Sequence, residues 1–495
     1  MKYSAILFVV IFYGCASTIK KQESPMQSGG EEYRPAYHFT PPSNWMNDPN
    51  GMVYFEGEYH LFYQHYPDSN VWGPMHWGHA VSSDMINWEH LPIALYPDSL
   101  GYIFSGSAVI DWNNTTGFGT EENPPMVAIY TYHDPVGASE REDDFQYQGI
   151  AYSLDKGRNW VKYENNPVLP NPGIVDFRDP KVSWNEAFKQ WTMILAVKDH
   201  INLYSSPNLI DWALESEFGE TIGAHGGVWE CPDLFRLSDQ NGEEKWVMLV
   251  SINPGGPQGG SATQYFIGDF DGSTFTPNDT TTRWVDYGAD NYAGVTWSDI
   301  PEDDGRRLFL GWMSNWQYAN VVPTFNWRSA MTIPRELRLQ TIQNEPILQS
   351  MPVKELESLF DPAKEIKSGA ELPSKSYRLT LTNIPESGFS VSFSNDQSEV
   401  LEVKLDKKRL TIDRSKAGVA DFNDAFAAVH EAPLKGLEVA TLEIYMDQSS
   451  IEVFVNDGAV VMTDLFFLSE AYQIIEYTKG VKATLSPLSS QPTSF

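Results

Sequence analysis

Cysteine is almost missing from this 495-residue chain: Cys15 and Cys231 are the only two, so no disulfide framework holds the fold together. Positive charge is scarce as well. Lys and Arg number 34 against 66 Asp and Glu, a formal net charge of −32, which excludes a nucleic-acid-backbone binder, a role that needs clustered cations. No apolar run approaches the ~20 residues of a membrane-crossing helix, and no long stretch keeps a helical period. Tryptophan is absent after Trp327, although sixteen occur from Trp45 to that point. Disorder is excluded too, because 41% of the residues are hydrophobic and 13% aromatic.

At the N-terminus, Lys2, the apolar Ala5–Tyr13 and Gly14-Cys15 read as an export signal. Its core is too short to span a bilayer. A cysteine directly after it predicts bacterial lipoprotein processing with Cys15 as the acylated residue; ordinary cleavage nearby is the alternative. Residues 16–32 carry Ser, Gln, Lys and Gly and read as a flexible tether. The expected mature protein is an exported body on a lipid anchor, in the periplasm or at the cell surface, or else secreted.

The tryptophan boundary divides the rest. The first part shows short strand-like runs such as Gly51–Phe55 and Tyr59–Tyr63, broken by Gly, Pro, Asn and Asp. A hairpin plan recurs in Ser83-Asp84-Met-Ile-Asn-Trp88, Ser153-Leu-Asp155-Lys-Gly-Arg-Asn-Trp160 and Ser205–Trp212, and in degenerate form over Asp269–Phe275. Repeats of this length predict propeller blades. From Arg328 on, segments such as Tyr377–Thr382, Phe389–Ser394 and Val400–Leu405 alternate apolar and polar residues, and Asn456-Asp457-Gly458 marks a tight turn. A β-sandwich is predicted there, with Pro352–Leu359 as a short connecting helix. The fold class is therefore all-β.

Three carboxylates stand apart from those in plain turns: Asp48 in Asn44–Gly51, Asp179 in Phe177–Lys181 and Glu230 in Trp229–Phe235. A proline follows each within two residues and restrains the backbone before it, as a catalytic group requires and a solvated one does not. Paired carboxylates of this kind suit glycoside cleavage, one as acid/base and one as nucleophile. Glu230, between Trp229 and Cys231, is expected in an apolar setting suited to the acid. Asn47 and Asn50 are expected to supply amide donors that keep Asp48 ionised. Arg178 is suited to hold a carboxylate or sugar hydroxyls.

Trp45-Met-Asn-Asp-Pro-Asn-Gly51, Phe177-Arg-Asp-Pro-Lys181 and Glu230-Cys-Pro-Asp-Leu-Phe235 together resemble the three signature blocks of glycoside hydrolase family 32. That family holds the invertases, inulinases, levanases and fructan exohydrolases. Trp72–Ala80 and Phe104–Ala108 resemble its sugar-pocket segments, and Asp447–Phe454 its C-terminal sandwich. The resemblance implies a five-bladed β-propeller over residues 33–335, a linker over 336–357 and a β-sandwich over 358–495. It implies Asp48 as nucleophile, Glu230 as general acid/base and Asp179 as transition-state stabiliser. Asn47, Gln64, Trp72, Ser107, Arg178 and Trp312 would line the fructose pocket. The implied reaction is retaining hydrolysis of terminal β-D-fructofuranosyl residues in levan, inulin or sucrose, without cofactor or metal.

Endo-acting members and fructosyltransferases of the family are the nearer alternatives. A five-bladed arabinanase-type glycosidase is disfavoured by the Asn47–Gly51 run, and a non-catalytic fructan-binding protein by the presence of all three carboxylates. Other features have plainer readings. His76 and His79 lack a third zinc ligand, Asp286–Asn291 reads as a polar loop rather than a calcium site, and Cys231 as a wall of the pocket rather than a nucleophile.

Overall fold

A computed structural model describes residues 31–343 and 345–490; the export signal and Cys15 lie outside the described residues. Five antiparallel sheets follow one another along the chain, and two six-stranded sheets come after them. The five are the blades of a β-propeller, and the pair forms a β-sandwich. The blades begin with the strands Asn44–Phe55, Tyr102–Ile110, Phe177–Asn185, Val228–Ser238 and Tyr292–Thr296. Each opening strand lies at the inner side of its blade, and the five touch one another in a closed ring. They are rich in buried residues on both faces because neighbours cover them on every side. The ring closes where Trp327-Arg328 pairs in parallel with Asn44-Trp45.

The recurring hairpin plan links the third and fourth strands of a blade. Asp84, Asp155 and Asn208 each accept backbone N–H groups of their own turn. Trp88, Trp160 and Trp212 then each donate Nε1–H to the carbonyl three residues back, at 3.0 Å every time. Asp271 holds the degenerate fourth turn in the same way. A short polar side chain that captures its own turn is what makes this sequence a hairpin.

Residues 336–352, expected to be linker, instead build the outer half of the fifth blade: Arg335–Ile342 pairs with the inner Arg307–Met313 and with Glu345–Pro352. Leu337, Leu339 and Leu348 are buried against Phe235, Val247 and Phe309. The connecting helix is a 3-10 turn over Lys354–Leu359. The sandwich core is formed by the alternating apolar residues, among them Leu379, Leu381, Val391 and Phe393. Its Asn456-Asp457-Gly458 turn has all three residues at positive φ and joins Ser450–Val455 to Val460–Leu465.

Propeller and sandwich meet across buried charge. His38 bridges Asp447 and Glu452 at 2.7 and 2.9 Å. Arg335 pairs with Asp286 at 2.9 Å and with Glu452. Arg414 pairs with Asp290 at 2.7 Å, and within the sandwich His430 holds Asp464 at 2.8 Å, whose carboxylate also accepts from Ala289 N–H. The Asp286–Asn291 segment thus docks onto the sandwich.

Candidate active site

All five inner strands break their pairing register near their beginnings. The breaks fall between Met46 and Pro49, Ile103 and Gly106, Arg178 and Lys181, Glu230 and Asp233, and Tyr292 and Val295. A bulge adds a residue, bends the strand and re-aims a side chain. Here Asp48, Ser105, Asp179, Cys231 and Ala293 sit inside the breaks, with Glu230 and Tyr292 at their edges. Asp179, Cys231 and Ala293 hold φ of 66°, 43° and 53°, a left-handed conformation costing non-glycine residues about 1 kcal/mol or more. Pro180 and Pro232 are tolerated because a bulged residue has no ladder partner for its missing N–H, and Pro49 stands where the pairing resumes after the first break. At Gly106 the carbonyl of Ile129 passes 2.1 Å from where a Cβ would stand, so no larger residue fits.

The bulges bring the three carboxylates together at one end of the ring. Ser105 Oγ donates to Asp48 Oδ2 at 2.6 Å and Asn47 Nδ2 to Oδ1 at 3.0 Å. The Cys231 thiol lies 3.5 Å from Asp48 Oδ2 and 3.6 Å from Asp179 Oδ2, bridging the two acids. Cys231 N–H also donates to Asp179 at 3.1 Å. Arg178 gives Nε and Nη2 to Glu230 Oε1 at 3.2 and 2.9 Å, while the Tyr292 hydroxyl donates to Oε2. On its other side Arg178 is held by Asp176 and, at 3.4 Å, by Gln146.

Charge is under-compensated here. Burial raises the Asp48 carboxyl above its ordinary range, and the Glu230 charge adds to this; Ser105, Asn47 and Cys231 only partly oppose it. Burial also lifts Asp179, against Arg178 and together with the Glu230 and Asp48 charges. Burial beside these acids pushes the Cys231 thiol well up, so it stays protonated and acts as a donor. The same cause, with the Glu230 charge, keeps Tyr292 protonated.

Two expectations need correction. Glu230 is not in an apolar setting: Arg178 and Tyr292 grip both its oxygens, while Trp229 is turned into the core and donates to Ala224 O at 2.8 Å. Asn50 does not reach Asp48; its amide donates to Pro49 O and its oxygen accepts from Gln64 at 2.7 Å.

The pocket candidates separate by depth. Asn47 and Arg178 touch the carboxylates directly, and Trp72, 40% exposed, stands on the rim in edge contact with Phe104. Gln64 lies beneath, spending its amide on Asn50 and Ile103 O. Ser107 is also sealed in, bridging Pro180 O and Val182 N at 3.0 Å each and so joining the second blade to the third. Trp312 is fully buried against Trp45, Trp316 and Tyr292. Ser105 had a signal only as part of the pocket-like segment Phe104–Ala108, which does not single it out, and Tyr292 had none, following directly on Asp286–Asn291, which reads as loop. His76 bonds to Pro74 O and His79 to His60, and no metal-holding cluster occurs among the described residues. A cavity of about 910 Å³ opens at the opposite end of the ring, lined by Lys181, Asp233, Asp299 and Arg307. It includes none of the three carboxylates and is not the candidate site.

Residues 38–352 match the model of the glycosyl hydrolases family 32 N-terminal domain, and residues 352–491 that of the family 32 C-terminal domain. A levanase of Bacillus subtilis is 50% identical over 486 residues, covering 92% of this chain and 71% of the relative. An extracellular exo-inulinase of Aspergillus niger is 40% identical, covering 89% and 90%. Among solved structures, an exo-inulinase from Aspergillus awamori superposes with a TM-score of 0.84 at 36% identity, over 92% of this chain and 98% of that one. A β-fructofuranosidase from Schwanniomyces occidentalis complexed with fructosyl-erythritol gives 0.82 at 34%, over 93% and 98%.

Proposed function

The chain belongs to glycosyl hydrolase family 32 and is a glycoside hydrolase of the fructofuranosidase type, and we propose that it removes terminal β-D-fructofuranosyl residues from fructans and from sucrose. The observation that carries this reading is the trio Asp48, Asp179 and Glu230 gathered at one end of the ring by strand bulges. Levanase and exo-inulinase relatives support the fructan substrate.

In this reading the reaction runs in two displacements. Protonated Glu230 gives its proton to the glycosidic oxygen as the bond from that oxygen to C2 of fructose breaks. The Asp48 carboxylate takes C2, forming an ester. Water then attacks C2, its proton passes to Glu230, and the ester bond returns its electrons to Asp48. One water is consumed and one fructose released. Ser105, Asn47 and the Cys231 thiol hold the attacking carboxylate, while Arg178 and Tyr292 hold the acid/base. Asp179 accepts hydroxyls of the fructosyl ring and faces the positive charge that develops on it. Asn47, Arg178 and Trp72 form the wall against the sugar, with Gln64, Ser107 and Trp312 supporting it from behind.

Relatives described as extracellular support export. Attachment through Cys15 is the finer proposal, tested by fatty-acid labelling of wild type against Cys15→Ala. For the activity, the test is chromatography of early products from levan, inulin and sucrose. Fructose alone, with slow shortening of the polymers, is expected. A ladder of oligosaccharides would mean an endo enzyme, and no product from any of the three would end the proposal.

A further inference from the structure

His133 closes the second strand of the second blade and is half-buried at the site's rim. Its ring stacks on Phe104 with centroids 4.2 Å apart and planes 10° from parallel, and Phe104 in turn meets Trp72. Tyr102 stacks at 6.0 Å and Phe145 packs edge-on at 5.3 Å. Two tethers tie this imidazole to the chemistry. Along one strand, Phe104 is followed by Ser105, which holds Asp48. Through the neighbouring strand, His133 Nδ1 meets Gln146 Nε2 at 3.2 Å, and Gln146 Oε1 meets Arg178 Nη1, the group that grips Glu230.

The amide orientation decides the tautomer. Gln146 Oε1 accepts from Phe177 N–H at 3.1 Å as well as from Arg178, so its nitrogen must face His133 and donate. Nδ1 is then an acceptor and the proton resides on Nε2. Burial, with the nearby Arg178 charge, lowers the His133 pKa to about 4, keeping the ring neutral. Nε2 has no partner among the described residues and is not one of the sealed polar atoms left unpaired. A fixed N–H donor on an aromatic wall fits a sugar, which offers a hydroxyl beside an apolar face.

We infer that His133 is a specificity-determining residue: its Nε2–H, oriented by Gln146, donates to a hydroxyl of the sugar that leaves as the fructosyl bond breaks. This rests on the reading of the chain as a fructosidase. It concerns the departing sugar, whereas Asp48, Asp179 and Glu230 act on the fructosyl ring.

Three substrates differ in what leaves: sucrose, a short fructan trisaccharide, and methyl β-D-fructofuranoside, whose leaving group carries no hydroxyl besides the one released. His133→Phe keeps the stack and removes the donor, and His133→Gln restores a donor. The Phe variant is expected to lose about tenfold in kcat/KM on the first two substrates and less than twofold on the third, with partial recovery in the Gln variant. An equal loss on all three would make the residue structural and overturn the inference, as would no loss on any. Failure of the wild-type enzyme on all three fructosides would instead strike the functional reading itself. Unchanged melting of both variants separates lost contact from lost fold.

Discussion

Two groups of buried acids sit in this molecule, and they are treated oppositely. At the joint between propeller and sandwich, Asp447 and Glu452 share His38, with Arg335 on Glu452 and Asp286. Burial pushes Asp447 and Glu452 up, but these partners more than offset it and hold both carboxyls below their ordinary range. Asp290 shifts upward, through burial and beside Asp464, against the pull of Arg414. In the ring, Asp48 and Asp179 have one cation nearby, Arg178, and its two shortest carboxylate contacts go to Asp176 and Glu230; both acids are raised. Matched charge makes a fastener. Unmatched charge, supported by strained bulges, leaves Asp48 and Asp179 with raised carboxyls, and the stability they forgo is supplied by the cores around them.

This contrast can be broken most directly by neutralising one acid from each group. Asp48→Asn is expected to reduce kcat by about 10⁴-fold or more while leaving the melting temperature equal or higher, because a repelling buried charge is gone. Retention of even one hundredth of the activity would remove Asp48 from the nucleophile's place. Glu452→Gln should do the reverse. It takes from Arg335 and His38 one of the two acids that each holds, costing about 3 kcal/mol in urea unfolding, with little change in activity per folded molecule. Unchanged stability would erase the distinction.

The joint should also respond to alkali. Burial disfavours charged His38, yet Asp447 and Glu452 raise its pKa to about 9, against about 6.5 in an unfolded chain. A raised folded-state value stabilises fully below the unfolded value and is lost as pH climbs through the folded one. Stability should therefore fall between about pH 6.5 and 9, by on the order of 3 kcal/mol, and His38→Gln should flatten the slope. A flat wild-type profile would contradict the ion bridge. The smallest effect is local: Ser105→Ala removes a donor to ionised Asp48, raising its pKa, so the acid limb of kcat/KM should move up by less than about one unit. Movement to lower pH would reverse the assigned role of that hydroxyl.

What could be read beforehand follows from how local each signal is. The Asp84, Asp155 and Asn208 turns announce themselves because cap, turn and tryptophan lie within eight residues, and so the propeller repeat was legible. The prolines after Asp48, Asp179 and Cys231 betrayed a special backbone without saying that it was a bulge. The resemblance names Ser107 and not Ser105 for the pocket, yet a break between Ile103 and Gly106 aims Ser105 at Asp48 and sends Ser107 between blades. Tyr292 and Gln146 reach the site through tertiary placement alone. The outer hairpin of the fifth blade read as linker because its burial is partial, as an edge strand's is.

The pairing of Asn44-Trp45 with Trp327-Arg328 sets a timetable for synthesis. The strand bearing Asp48 emerges first of the propeller, yet its neighbour on the inner side is translated only after three further blades and the inner strands of a fifth. Closing so long a loop is slow and entropically costly, and His38 waits longer still for Asp447 and Glu452. A nascent or truncated chain therefore carries Asp48 without the ring that aims it, and the site is complete only late, when nearly the whole protein has been made.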